Sequence, residues 1–186
     1  MRPAVFLDRD GTILEEVGYL NHASRFRILP GAAAAIARLN RADYPVIVVS
    51  NQSGVGRGYF PESVVTEVNT LMQKELAKEN ARLTAIYYCP HVSLPPCDCR
   101  KPQPGMAQSA AKEHGLDLTR SLFVGDRHSD IELGHRVGGR SILVRTGYGE
   151  GEFAWHVASW PRQPEFIAAD LNDAVGWILG QKNETP

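Results

Sequence analysis

Asp8 and Asp10 flank Arg9 and run straight into Gly11 and Thr12. Two carboxylates so close repel each other, and such crowding persists where a cation or a reacting group offsets it. Ser50 and Asn51, then Lys101, then Gly125 and Asp126 with Asp130 shortly after, add a hydroxyl, an amide, an ammonium and two more acids. Three carboxylates around one point make a hard oxygen site, suited to magnesium rather than to a soft metal. A hydroxyl, an amide and a lysine at the same point suit a phosphoryl group, whose oxygens need donors and positive charge. A second set is Cys89, His91, Cys97 and Cys99, which takes up every cysteine in the chain. Three thiolates and an imidazole form the closed shell of a structural zinc, and a shell with no open position does not catalyse. In that reading the zinc fixes the loop that delivers Arg100 and Lys101.

This chemistry needs the residues brought together, and hydrophobic periodicity predicts how. Residues 4–7 form a short apolar run, the length of a buried strand, and residues 46–49 are a β-branched run of the kind parallel sheets bury. Further strands are predicted at 83–88, running into Cys89, at 122–124, at 141–144 and at 166–168. A helix opened by Pro30 and Gly31 carries Ala32, Ala35, Ile36 and Leu39 on one face, and Asp43, Tyr44 and Pro45 break it. A longer one starts at Pro61 and Glu62, with Val64, Val65, Val68, Leu71, Met72 and Leu76 at helical spacing. Three more are predicted: from Pro104 to a stop at Gly115, from a cap at Ser129 or Asp130 to Arg136, and from a cap at Asp170 through Leu171, Val175, Ile178 and Leu179.

Residues 15–29 read as a loop, with at most a short ribbon, leaning over the end of the first strand. The Gly54, Gly56, Gly58 run reads as a tight turn and lacks the spacing of a dinucleotide fingerprint. Residues 148–165 show no usable period, with Trp155 and Trp160 expected to pack. Strands alternating with helices mean a parallel sheet with right-handed crossovers. Every polar set of the active-site group then falls at the carboxyl end of a strand, where open α/β sheets place their chemistry.

The 186 residues are 43% apolar and 22% charged with a net charge of −1, so bulk charge points to neither a nucleic-acid nor a membrane partner. No apolar run approaches the length of a membrane span. A strand begins almost at once, which leaves no room for a signal peptide, and an odd number of clustered cysteines argues against a disulfide framework; the expectation is a cytosolic monomer. The chain is read as a single domain over 1–180, with the zinc loop at 89–99 inside it and a loose tail at 181–186.

The ordered sets Asp8-Arg9-Asp10-Gly11-Thr12, Ser50, Lys101 and Gly125-Asp126 with Asp130 resemble the haloacid dehalogenase superfamily of phosphatases over most of the chain. The resemblance implies a three-layer α/β sandwich with a mainly parallel sheet, and phosphoryl transfer through an aspartyl-phosphate. It implies Asp8 as the nucleophile, Asp10 as the general acid that then activates water, and Ser50 and Lys101 on the phosphoryl oxygens. Magnesium would be held by Asp8, Asp126 and the backbone carbonyl of Asp10, with Asp130 orienting the metal shell and Thr12 supporting the turn.

The run Cys89-Pro90-His91, then Cys97-Asp98-Cys99-Arg100-Lys101, Pro104-Gly105-Met106 and the 50–58 stretch, is similar to the family of heptose-bisphosphate phosphatases and histidinol phosphatases. The spacing between Asp8, Ser50 and Lys101 leaves no room for a cap domain, so loops must grip the substrate. By resemblance the gripping residues are Arg9, Glu16, Val17, Gly18, Tyr19, Asn51, Gln52, Ser53, Arg100 and Arg127. A second phosphate would fall to Arg100, with Arg57 and Arg145 behind it, and His128 lies near enough to touch substrate. The implied substrate is a phosphorylated sugar, a heptose 1,7-bisphosphate losing its 7-phosphate on the way to nucleotide-activated heptose. The alternatives are histidinol phosphate, a broader set of sugar phosphates, or a catalytically silent, zinc-stabilised binding module.

Overall fold

Val5, Leu7, Val46, Val48, Leu122 and Val124 face one apolar cluster, and Phe6, Ile47, Val49 and Phe123 face another. Strands apolar on both faces need a helical layer on each. The computed structural model, which describes residues 1–182, has that arrangement. In chain order it contains β1 (Val5–Leu7), α1 (Ala32–Arg41), β2 (Val46–Asn51), α2 (Ser53–Gly56), α3 (Glu62–Ala77), β3 (Ala85–Cys89) and α4 (Gly105–His114). Then come β4 (Leu122–Gly125), α5 (His128–Arg136), β5 (Arg140–Val144), α6 (Gly149–Trp155), β6 (Phe166–Ala168) and α7 (Leu171–Lys182). The six strands are all parallel, in the order β3-β2-β1-β4-β5-β6.

Residues of α1, α3 and α7 pack on one face of the sheet, and residues of α4 and α5 on the other, where Phe6 and Phe123 stack at 4.6 Å. The chain steps outward from β1 through β2 to β3, then returns to lay β4 on the opposite side of β1. The crevice outside the carboxyl ends of the strands at such a reversal is where open α/β sheets bind ligands. No separate cap interrupts this order, and no described helix is long and apolar enough to cross a membrane.

Several local expectations need correction. The glycine run after β2 is a one-turn helix rather than a plain turn. The cap of α5 is Arg127, not Ser129 or Asp130; Asp130 stands inside the first turn and its Oδ2 accepts the Arg127 N–H at 3.1 Å. Residues 148–165 hold α6 and a 3-10 turn at Val157–Ser159, and of the two tryptophans only Trp160 is buried, against Ile131 and Leu143. Trp155 is 80% exposed and does not pack. The 15–29 loop is tied to β1's end by an antiparallel bridge between Leu14 and Ile28. Asp170 does cap α7, accepting from the Asp173 N–H, but the helix runs through 182, so the tail does not begin at 181. Residues 183–186 of that expected tail lie outside the described residues.

Candidate active site

Asp8 leaves β1 where Asp126 leaves β4, and these strands are neighbours. Ligand oxygens of Asp8, Asp126 and Asp130 lie within 4.8 Å of one another, and all three residues are buried. Lys101 threads between them: its Nζ is 2.8 Å from Asp8 Oδ1, 2.6 Å from Asp130 Oδ1 and 2.8 Å from the Val49 carbonyl. Burial first, then the Asp130 and Asp10 charges, push Asp8 up to about 7 against the pull of Lys101. Burial, then Asp8 and Asp130, push Asp126 up to about 8. Gly11 and Gly147 have positive φ and crowd the Asp126 carboxylate so closely that a Cβ on either would collide with it.

Three acids against one lysine leave two negative charges to offset. Asp126 Oδ2 accepts the Tyr148 N–H at 2.8 Å, while its Oδ1 is buried with no hydrogen-bond partner. A hard divalent cation fits both the charge and that orphaned oxygen. Asp8 and Asp126, with Asp130 beside them, are the side chains that could hold it. Thr12 is fully buried and its Oγ1 also lacks a partner, so any support it gives the turn is not a hydrogen bond.

Asp8 lines a cleft of about 420 Å³, with Asp126 and Asp130 beside it but outside the cleft lining. Of the residues expected to grip substrate, Glu16, Gly18, Tyr19, Asn51, Gln52, Ser53, Arg100 and Arg127 line it, together with Asp8, Asp10, Ser50 and Lys101. Two expected residues do not. Val17 packs on the core, and Arg9 is 1% exposed, bonded to Asp10, Asn69 and Gln52 instead of facing the cleft. Arg145 is also off the wall, paired with Glu150, and His128 packs at a tilt against Trp160, ring centroids 4.6 Å apart. Arg57 does line the cleft.

Asn51 also clamps the backbone of Lys101. Its side chain accepts the Lys101 N–H at 3.0 Å and donates to the Lys101 carbonyl at 3.2 Å. Sequence reasoning missed Tyr148 as a wall residue; Arg127 lies 3.6 Å over its ring. An aromatic just past the end of a central strand was the available signal. Burial, then the Asp10 charge, raises Glu16 above the usual carboxylate range despite the Gly18 N–H it accepts.

Cys89, His91, Cys97 and Cys99 converge, their ligand atoms within 4.8 Å of one another. The sulfurs are 2.9 to 3.6 Å apart, and His91 Nδ1 is 3.2 Å from the Cys99 sulfur. A tetrahedron with bonds of about 2.3 Å has edges of about 3.8 Å, so the set is compatible with zinc after a slight expansion. No disulfide joins these three cysteines.

Fold and site together are those of a hydrolase working on phosphate monoesters. Residues 14–135 match the family described as haloacid dehalogenase-like hydrolase, and 98–174 match a second description of the same group. The chain belongs to the haloacid dehalogenase-like hydrolase family. It is 42% identical to the D-glycero-D-manno-heptose-1,7-bisphosphate 7-phosphatase of Thermosynechococcus vestitus, over 95% of each chain. It is 40% identical to the D-glycero-beta-D-manno-heptose-1,7-bisphosphate 7-phosphatase of Haemophilus influenzae, over 82% of this chain and 88% of the other. Among solved structures, the D,D-heptose bisphosphate phosphatase of B. bronchiseptica, complexed with magnesium and phosphate, superposes with a TM-score of 0.89 at 32% identity, covering 97% of this chain and 99% of that one.

Proposed function

We propose that the chain is a magnesium-dependent phosphatase that removes the 7-phosphate of D-glycero-D-manno-heptose 1,7-bisphosphate, in the making of nucleotide-activated heptose. The observation that carries the reading is the buried Lys101–Asp8 ion pair beside Asp126, at the floor of a cleft edged by Arg57, Arg100 and Arg127. The sugar itself is taken from the relatives' names.

Magnesium bound by Asp8, Asp126 and the Asp10 carbonyl, with Asp130 steadying its shell, would screen the repulsion between carboxylate and phosphate. Asp8 attacks phosphorus, and an Asp8 O–P bond forms as the bond from phosphorus to the sugar oxygen breaks. Asp10 gives its proton to that departing oxygen. Water then attacks the same phosphorus and passes a proton to Asp10; the Asp8 O–P bond breaks and inorganic phosphate leaves. Ser50 and Lys101 hold the phosphoryl oxygens throughout. The second phosphate falls to Arg100, with Arg57 and Arg127 within the same cleft; Arg145 is not among the residues lining it.

Zinc in the 89–99 loop would have a structural role only. The chain is proposed to act as a monomer, with a single domain that runs through α7. The proposed compartment is the cytosol, where thiols are kept reduced and available to a metal.

Turnover of both anomers of the bisphosphate, measured beside histidinol phosphate with magnesium present, tests the reading. The bisphosphate is expected to win on kcat/KM. A preference for histidinol phosphate would move the assignment to that substrate, and no turnover of any phosphate ester would leave the silent binding module.

A further inference from the structure

Asn69 sits on the face of α3 that also carries Val65, Val68, Met72 and Leu76, and it is 8% exposed. It is not among the residues lining the cleft. A buried amide must find a partner. It finds Arg9, whose Nη1 donates to Asn69 Oδ1 at 3.1 Å. Arg9 is itself almost completely buried, and its other edge grips Asp10: Nη2 lies 2.9 Å from Oδ2 and 3.2 Å from Oδ1, with Nε at 3.2 and 3.3 Å. Arg9 Nη2 also donates to Gln52 Oε1 at 2.9 Å.

A guanidinium only donates, so it fixes which way Gln52 points. The Gln52 Nε2 is thereby turned to Asp10 Oδ2 at 2.8 Å and to Ser50 Oγ at 2.7 Å. Asp10 is thus held from two sides, and the chain of donors that holds it is anchored on a helix with no part in the cleft wall.

We propose that Asn69, acting through Arg9, is a positioning residue for Asp10 that sets how its carboxyl meets the leaving oxygen. The inference rests on the reading of Asp10 as the general acid. A long arginine stem pinned only at its carboxylate end can swing with that carboxylate; the Asn69 anchor removes the freedom. A buried ion pair is a weak stabiliser because desolvation offsets its attraction. Geometry at Asp10 therefore explains the network better than fold stability does. Removing the acceptor would leave a buried Arg9 N–H unpaired, and the guanidinium would turn to find another.

The test uses two esters. The sugar oxygen of the heptose bisphosphate needs a proton to leave, whereas p-nitrophenolate departs from p-nitrophenyl phosphate without one. The ratio kcat/KM reports the step up to formation of the aspartyl-phosphate. Asn69→Leu is expected to lower kcat/KM about 10- to 100-fold on the heptose bisphosphate and less than about 3-fold on p-nitrophenyl phosphate. Asn69→Asp keeps an acceptor for Arg9 and is expected to restore the sugar ester to within about 3-fold. Equal losses on both esters, or none on the sugar ester, overturn the inference. If Asn69→Leu fails to fold, Asn69→Ala carries the same test, since it removes the acceptor for Arg9 with a smaller side chain and leaves the Arg9 fork on Asp10. Asp10→Asn separates the two failures. A selective loss there with none in Asn69→Leu refutes the positioning role alone; no selective loss there refutes the general acid and the inference with it.

Discussion

The Lys101 ammonium lies 2.6 to 2.8 Å from Asp8, Asp130 and the Val49 carbonyl, and only the last is a hydrogen bond. Replacing it by Met keeps the volume and leaves two buried carboxylates without their cation. Breaking a buried pair from one side costs about 3–5 kcal/mol. Lys101→Met is therefore expected to unfold at markedly lower urea in metal-free buffer, with magnesium recovering part of the loss. Its phosphatase activity should fall at least about 100-fold, because a phosphoryl oxygen loses its charged donor. Unchanged kcat would remove Lys101 from the chemistry. Tyr148 makes a milder case. A partly exposed cation–π contact is worth about 0.5–1 kcal/mol, so Tyr148→Ala should raise KM about 2- to 5-fold with little change in kcat, and Tyr148→Phe should not.

At this scale the acids and the serine were legible because their residue types and strand-end positions have few other uses, and Lys101 from its place just after the cysteine segment. Arg9 misled: the resemblance set it against substrate, and nothing in the sequence disclosed that it is buried. Asn69 went unnoticed although it carried a signal: it falls on the apolar stripe of α3, between Val68 and Met72, where a polar residue must have a partner.

At the scale of elements, the 89–99 loop does more than carry cysteines. The Cys89 carbonyl accepts the Gln52 N–H at 2.7 Å, the Pro90 carbonyl accepts the Gly56 N–H at 2.9 Å, and the Asp98 carbonyl accepts the Gly105 N–H at 2.9 Å. The loop therefore joins the end of β3 to α2 and to the start of α4, with Lys101 between. If zinc holds it, stripping the metal should free this region first. Chelation is expected to open protease sites between Cys89 and Lys101 and to cut phosphatase activity even with magnesium in excess. Zinc alone should reverse both. Full activity in protein proven zinc-free would separate the loop from catalysis.

The strands and long helices of this fold were readable because their apolar periods are set by burial on two faces. α6 was not: its seven residues, Gly149–Trp155, include two glycines, and its aromatics are exposed. Such a helix owes its existence to neighbours rather than to a stripe of its own. The cap of α5 was misplaced for a related reason. Ser129 and Asp130 are ordinary capping types, but Asp130 is needed one turn in, where its other oxygen reaches Lys101.

For the whole molecule, the cleft charges and the stability of the fold are linked. Without a metal, Asp8 and Asp126 are raised to about 7 and about 8, chiefly by burial. A carboxyl with a raised folded pKa holds a proton that the unfolded chain has already lost. Its contribution to stability is full below the unfolded value near 4 and disappears as the pH rises through the folded value. The metal-free protein therefore forfeits stability from this pair as the pH climbs toward 8. Magnesium competes for the same oxygens with those protons, so it binds more tightly as they leave, and bound ligand stabilises by mass action. His135, shifted downward chiefly by burial, adds an opposite slope as the pH rises toward its unfolded value, which makes the absolute melting temperature a poor guide. The difference between magnesium-loaded and metal-free protein cancels that slope. This increment in Tm is expected to be small near about pH 5.5 and to grow through about pH 8.5. Asp126→Asn should abolish both the increment and its growth. An increment that stays flat over that range would mean that Asp8 and Asp126 do not share their protons' place with the metal.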